Sequence, residues 1–460
     1  MDADYAAFLA RKAPRAIASG LTRLPDTPAH LKPFQADCVR FALLQGRAGL
    51  YLDTGLGKTR CQLEFLKHAA AATNGRSLIM TPLAVAKQIE REGSALGYEC
   101  RVIREQSEAR DGISIINYDR LDKIDPDAFG AVSLDESSIL KNLTGITSRT
   151  LREAFRDHRF KMSASATPAP NDHMELGQQC DYLSIMSSNE MLSRFFINDT
   201  SKASQEWRLK GHAVDAFWDW MASWSRLAQL PSDLGHDDTG YILPPIDVRR
   251  HKTGAAVIKA NDGDLFAADI SATNMHQVKR QTAEARADIA GRLVAAEPGE
   301  PFVLWVDTDY EADAVRAACP DAIEVRGSMP IEKKEAAIDA FSTGQARVLI
   351  TKPSVTGHGL NWQHCARTVF VGRSFSYESW YQAVRRFWRF GQARQVVVHI
   401  VVAEGEDQIG RVIARKAGDH DDMKTAMRAA MLRANGRASQ VKVPYNPNHT
   451  GRLPQWLMAS

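Results

Sequence analysis

From Gln35 to about Thr167, short apolar runs (AGLYLD, RSLIMTP, ISIINYD, AVSLDES, FKMSASATP) alternate with helical stretches such as KTRCQLEFLKHAAAA. That alternation predicts the strands and crossover helices of a parallel sheet. A second series begins near Pro301 with PFVLWVDT, AIEVRG, ARVLITKP, TVFVGRS and VVVHIVV, separated by helical segments such as YEADAVRAAC and EKKEAAIDAFST. The halves share no short repeat period, so the pattern is a duplicated fold and not a solenoid. Between them, 177–245 carries helical and polar segments rich in aromatics, then the turn-prone PSDLGHDDTG and Pro244-Pro245, which predicts a helical insertion and linker.

The expected organisation is therefore an N-terminal helix and linker over 1–30, a first α/β lobe over 31–176, the insertion over 177–245, a second α/β lobe over 246–410 and a helical tail over 411–460. A helical run from about Met275 to Ala296 is expected to pack on the second lobe before its first strand. Phe217, Trp220, Met221 and Trp224 recur at three-to-four spacing, the pattern of a core-facing stripe. The alternative is that this insertion rests on nucleic acid through Lys202, Arg208 and Lys210.

Composition narrows the class. A chain of 460 residues exceeds one usual hydrophobic core, which fits two lobes. With 44% apolar and 25% charged residues it reads as a soluble globular protein, no run approaches the ~18 apolar residues of a membrane span, and the N-terminus lacks a secretory signal. A cytoplasmic location follows as an expectation. The six cysteines form no CxxC pair, so buried, reduced thiols are expected; His364 beside Cys365 has no partners at metal-site spacing. A net charge of +3 permits a nucleic-acid partner without demanding one.

Candidate chemistry sits at the strand ends. The first strand runs into DTGLGKT, Asp53 to Thr59, where small glycines let backbone amides wrap phosphates at a helix N-terminus. Thr54, Gly55 and Gly57 form the wrap, Lys58 supplies charge and Thr59 a magnesium ligand; Leu52 stands where the strict pattern has glycine. The fourth strand ends in LDESS, so Asp135 is placed to hold magnesium and Glu136 to polarise an attacking water. Taken alone, such a pair is also a common helix cap. The next strand ends in SASATP, where Ser165 and Thr167 can sense a terminal phosphate. In the second half, QAVRRFWRFGQ puts Arg386 and Arg389 three apart, on one predicted helical face, where both can reach a phosphate cluster. Arg385 and Arg394 are left for a basic face toward nucleic acid or solvent.

In this order the motifs resemble superfamily-two helicases, specifically their Swi/Snf-like branch of DNA translocases, and are similar to compact helicases of phages and prophages. The likeness covers most of the chain. It implies two tandem RecA-like lobes, parallel sheets flanked by helices, gripping ATP and Mg2+. It further implies that Gln35 of LKPFQ reads adenine and that Gly359 of GHGLNW and Gln382 belong to the nucleotide site. Thr81 and Pro82 of TPLAVAKQIERE, Asn117 of INYDRL and Lys141 of LDESSILKN are implied to contact nucleic acid. Ser138 stands where the family carries histidine, and Gln88 near the place of its usual tryptophan. The implied function is an ATP-dependent translocase or helicase on duplex or branched DNA, in phage replication, recombination or repair, with phage or host replication or recombination proteins as partners. An RNA helicase, or the motor subunit of a complex with a methylase or nuclease, are the alternatives.

Overall fold

The computed structural model describes residues 15–141, 146–170, 173–199, 206–253, 278–356, 360–403, 407–434 and 451–452. The chain forms two compact units: Met1–Tyr241 together with Gly418–Ser460, and Ile242–Ala417.

In the first unit, α1 (Pro33–Gln45), β1 (Arg47–Leu52), α2 (Lys58–Ala71), β2 (Arg76–Thr81), α3 (Leu83–Ala95), β3 (Cys100–Val102), β4 (Gly112–Asn117), β5 (Ala131–Asp135), α4 (Ile146–Ala154) and β6 (Phe160–Ala164) follow in order. The next elements are α5 (Leu176–Tyr182), α6 (Ser188–Phe195), the strands β7 (Phe196–Asp199) and β8 (Glu206–Leu209), α7 (Val214–Trp224) and β9 (Ser225–Ala228). The main sheet has the order β3-β4-β2-β5-β6-β1-β9, and every neighbouring pair is parallel. Strands such as β5 and β6 are buried along their whole length, which is why they read as unbroken apolar runs and not as alternation.

The region expected as a helical insertion supplies an edge of this sheet. Strand β9 pairs with β1, Leu52 opposite Ala228, and α7 lays Phe217, Trp218, Trp220, Met221 and Trp224 into the core, with Trp224 edge-on to Tyr51. The stripe is therefore core, as its spacing predicts. Burial of that face needs a strand beneath it, and the short run SRLA carried too little signal to announce one. Lys210 of the alternative nucleic-acid reading donates its Nζ to the carbonyls of Ser193 and Arg194 at the end of α6; Lys202 lies outside the described residues. The helix expected within 1–30 does not reach residues 15–30, which form neither helix nor strand; residues 1–14 lie outside the described residues.

In the second unit, β10 (Asp247–Lys252), α8 (Ala283–Ala296), β11 (Phe302–Trp305), α9 (Asp309–Ala318), β12 (Ile323–Val325), α10 (Ile331–Ser342), β13 (Val348–Thr351), β14 (Arg367–Phe370), α11 (Tyr377–Val384) and β15 (Val397–Val402) build a parallel sheet of order β10-β15-β14-β11-β13-β12. Helix α8 covers it as expected, through Ala287, Ala290 and Val294. Strand β10, DVRRHK, had no apolar run to betray it, because an edge strand keeps its polar side chains in water. The last helix, α12 (Asp407–Ala434), crosses from the second unit into the first at Gly418; beyond that point Met423, Ala426, Met427, Ala430 and Met431 pack into the first core. Of the expected helical tail over 411–460, residues 435–450 and 453–460 lie outside the described residues. All six cysteines are free thiols, five of them buried, and among the described residues no helix is long and apolar enough to cross a membrane.

Lys161 is wholly buried in the first core. Lys161 on β6 donates to the carbonyls of Arg156 and Tyr182 and to Ser184 Oγ, and burial first, then the charge of Arg47, push its ammonium down to about 7. Above that pH the unfolded chain holds a proton that the folded chain has released, so unfolding takes one up and stability rises with pH toward the ordinary lysine value. Lys161 is expected to add at most ~1.4 kcal/mol of stability per pH unit between about pH 7 and 9, read as a rise in thermal midpoint that is smaller in Lys161→Met. Equal slopes for the two proteins would refute this.

Candidate nucleotide site

At the carboxyl end of β1 the chain turns through Gly55 (φ 94°) and Gly57 (φ 81°) before α2 begins at Lys58. Both angles are left-handed, a conformation that costs any other residue about 1–2 kcal/mol. A Cβ at Gly57 would stand 2.3 Å from Gln35 Nε2. No side chain caps α2, so its first-turn amides and the positive end of its dipole face the loop. Lys58 and Thr59 open the helix; in this structure Lys58 Nζ donates to Leu52 O at 2.9 Å. Gln35 is buried, accepts from Lys32 N and donates to Leu56 O at 2.9 Å, which ties the start of α1 to the loop. Gly57→Ala is expected to abolish ATP binding measured by calorimetry while the cooperative melt survives; unchanged affinity would count against a phosphate loop here.

Sheet order brings the remaining motifs to this loop. In the sequence β5-β6-β1 the strand ends carrying Asp135, Ser165 and the loop are neighbours. Asp135 Oδ1 accepts from Gln62 Nε2 at 3.0 Å, its Oδ2 accepts from Thr81 Oγ1 at 3.1 Å, and its carbonyl accepts from the Tyr118 hydroxyl at 2.6 Å. Ser133 Oγ in turn holds Gln62 Oε1. Burial, and then the adjacent Glu136 carboxylate, push the Asp135 carboxyl up to about 6, against the opposing pull of Gln62, Lys58 and Thr81. A cation is the natural complement to a carboxylate raised by burial and by a neighbouring carboxylate. Glu136 sits at φ 53°, a left-handed angle rare for a non-glycine and the sort of strain found at functional positions. Ser165 Oγ donates to Glu136 Oε2 at 3.4 Å and accepts from Thr167 N at 3.0 Å, so these two residues form a direct link to the second carboxylate.

Gln62 and Tyr118 were missed from the sequence, although a glutamine inside the apolar face of KTRCQLEF was a usable signal. Thr81 requires a correction: expected on nucleic acid, it is fully buried and its hydroxyl belongs to Asp135. The other three residues expected on nucleic acid do reach the surface. Half-buried Pro82 follows the end of β2, half-buried Asn117 is the last residue of β4 and pairs with Thr81, and exposed Lys141 closes the turn after β5, the next strand in the sheet.

In the second unit, helix α11 ends at Val384, so Arg386 and Arg389 stand in the turns beyond it and do not share a helical face. They converge by another route: Arg386 Nη1 and Arg389 Nη1 both donate to Leu360 O, at 3.0 and 3.2 Å. Arg386 is buried and also bonds Gln382 through its carbonyl and Oε1, whereas Arg389 is partly exposed. Arg385 is not a free basic face, since its guanidinium lies 4.4 Å from the Trp388 ring centroid and donates to Trp388 O. Arg394 pairs with Glu300. Gly359 lies outside the described residues.

Residues 287–391, which include Gln382, Arg386 and Arg389, match the helicase conserved C-terminal domain family. No curated protein sequence matches the chain. Among solved structures, the SWI2/SNF2 ATPase core of Sulfolobus solfataricus in complex with dsDNA is 16% identical over 91% of this chain and 98% of its own, with a TM-score of 0.38. Dbp5 of S. cerevisiae, bound to RNA and ADP BeF3, is 12% identical over 87% of this chain and 93% of its own, with a TM-score of 0.57. The second likeness shows the fold: the two units are tandem RecA-like lobes, parallel sheets flanked by helices.

Proposed function

We propose that the chain is an ATP-driven nucleic-acid motor that moves on duplex or branched DNA. The observation that carries this reading is the convergence in the first unit of a left-handed glycine loop, Lys58, and the Asp135–Glu136 pair at adjacent strand ends. Polyphosphate is the ligand for which uncapped helix amides, a lysine and a carboxylate pair are all needed at once. Magnesium bound with the nucleotide would neutralise phosphate charge, and Thr59 and Asp135 are the residues suited to hold it. Glu136 then orients the attacking water, and Ser165 and Thr167 relay the state of the terminal phosphate to the rest of the lobe. The likeness of QAVRRFWRFGQ to the family's motif assigns Arg389 the supply of positive charge to the transition state, with Arg386 and Gln382 shaping the turn that carries it. Gln35 selects adenine. Only the triphosphate engages the full set of groups, so hydrolysis shifts the balance between conformations and the motor advances.

The choice of DNA rests on the likeness of QAVRRFWRFGQ to Swi/Snf-like translocases, with Pro82, Asn117 and Lys141 as backbone contacts; a role in phage DNA metabolism rests on the same likeness. ATP turnover measured with duplex, single-stranded and forked DNA and with RNA tests the reading. Duplex or forked DNA is expected to stimulate most. Preferential stimulation by RNA would overturn the DNA assignment, and no stimulation by any nucleic acid would overturn the motor.

A further inference from the structure

We propose that Lys424 of α12 is a positioning residue for nucleotide binding, which it serves by offsetting the carboxylate of Asp53 at the head of the phosphate loop. The inference rests on reading the first unit as the ATP-binding lobe.

Asp53 is an odd residue for its place, since it sets a negative charge at the start of a loop meant to hold phosphates. Its polar groups shape that loop. The side chain is 2% exposed, Oδ1 accepts from Thr54 N at 2.6 Å, the backbone carbonyl accepts from Leu56 N, and the backbone amide donates to Ala228 O on β9. The carboxylate orients the first amide of the loop, yet its charge opposes the ligand.

Lys424 answers that charge. Its Nζ lies 3.9 Å from Asp53 Oδ2, and its side chain is 7% exposed. On α12 it falls between Met423 and Met427, both wholly buried in the first core. A lysine seldom lies so deep on an apolar helix face unless its charge is used. Here the ammonium cancels the one acidic side chain of DTGLGKT, so that Lys58 and the amides of α2 present a net positive site to the nucleotide. The C-terminal helix thereby becomes part of the nucleotide site without touching the nucleotide.

The full-length chain tests this by ATP titration calorimetry and steady-state turnover. Lys424→Met is expected to raise KM for ATP about tenfold with kcat within about twofold, and Lys424→Arg to stay close to wild type. In an Asp53→Asn background, where the Thr54 amide keeps its acceptor, Lys424→Met should have no further effect on KM. That arm also decides the matter if the single methionine variant fails to melt cooperatively. Wild-type KM in Lys424→Met, or an equal loss in both backgrounds, would overturn the proposal. A wild-type chain that binds no ATP would instead overturn the reading beneath it.

Discussion

Glu136→Gln is expected to lower ATP turnover by ~10²–10⁴-fold, the range of a lost general base, with ATP affinity and thermal midpoint near wild type. The glutamine keeps the size of the side chain and can still accept from Ser165 Oγ, so the contact at 3.4 Å need not be lost. What disappears is the carboxylate proposed to take a proton from water. The change should also relieve Asp135, whose carboxyl is raised in part by the Glu136 charge, so magnesium dependence is not expected to weaken. Turnover at the wild-type rate would remove Glu136 from the mechanism.

Arg389→Ala carries the second large effect, a loss of ~10³–10⁵-fold in nucleic-acid-stimulated turnover, the range of an arginine that stabilises phosphoryl transfer. The structure separates it from its partner. Arg389 is partly exposed, so its removal should leave the thermal midpoint nearly unchanged, whereas Arg386 is buried and holds Leu360 O and Gln382 in place. Arg386→Ala is therefore expected to lower the midpoint as well as the rate, because the buried side-chain oxygen of Gln382 loses its donor and Leu360 O one of its two. Melting curves beside turnover rates for the two variants check this. Identical behaviour, stable and inactive or unstable and inactive, would contradict the separation.

Both lobes and the loop at Asp53 to Thr59 were legible along the chain because their signals are local. An apolar run of five or six residues, a helical period and a glycine pair before a lysine are properties of contiguous residues, and physics acts on them before the chain folds. The same locality explains the misses. SRLA in β9 is four residues long and DVRRHK in β10 is almost wholly polar, so neither carries a period; each becomes a strand only because a neighbour offers an open edge. Arg386 and Arg389 were placed on one helical face by spacing, and the end of α11 at Val384 put them instead on a shared carbonyl.

Partnerships across long separations were decided by the tertiary structure alone. Nothing in the spacing of Gln62, Thr81 and Asp135 says that two of them hold the third, or that Thr81 is thereby withdrawn from the surface; the strand order makes those contacts. Nothing in RAAMLRA says that a lysine about one turn earlier on the same helix meets Asp53. What residues in a row can encode is the kind of element and the chemistry at its end. Which ends become neighbours depends on how the sheets close and which helix faces they bury, a property of the whole chain.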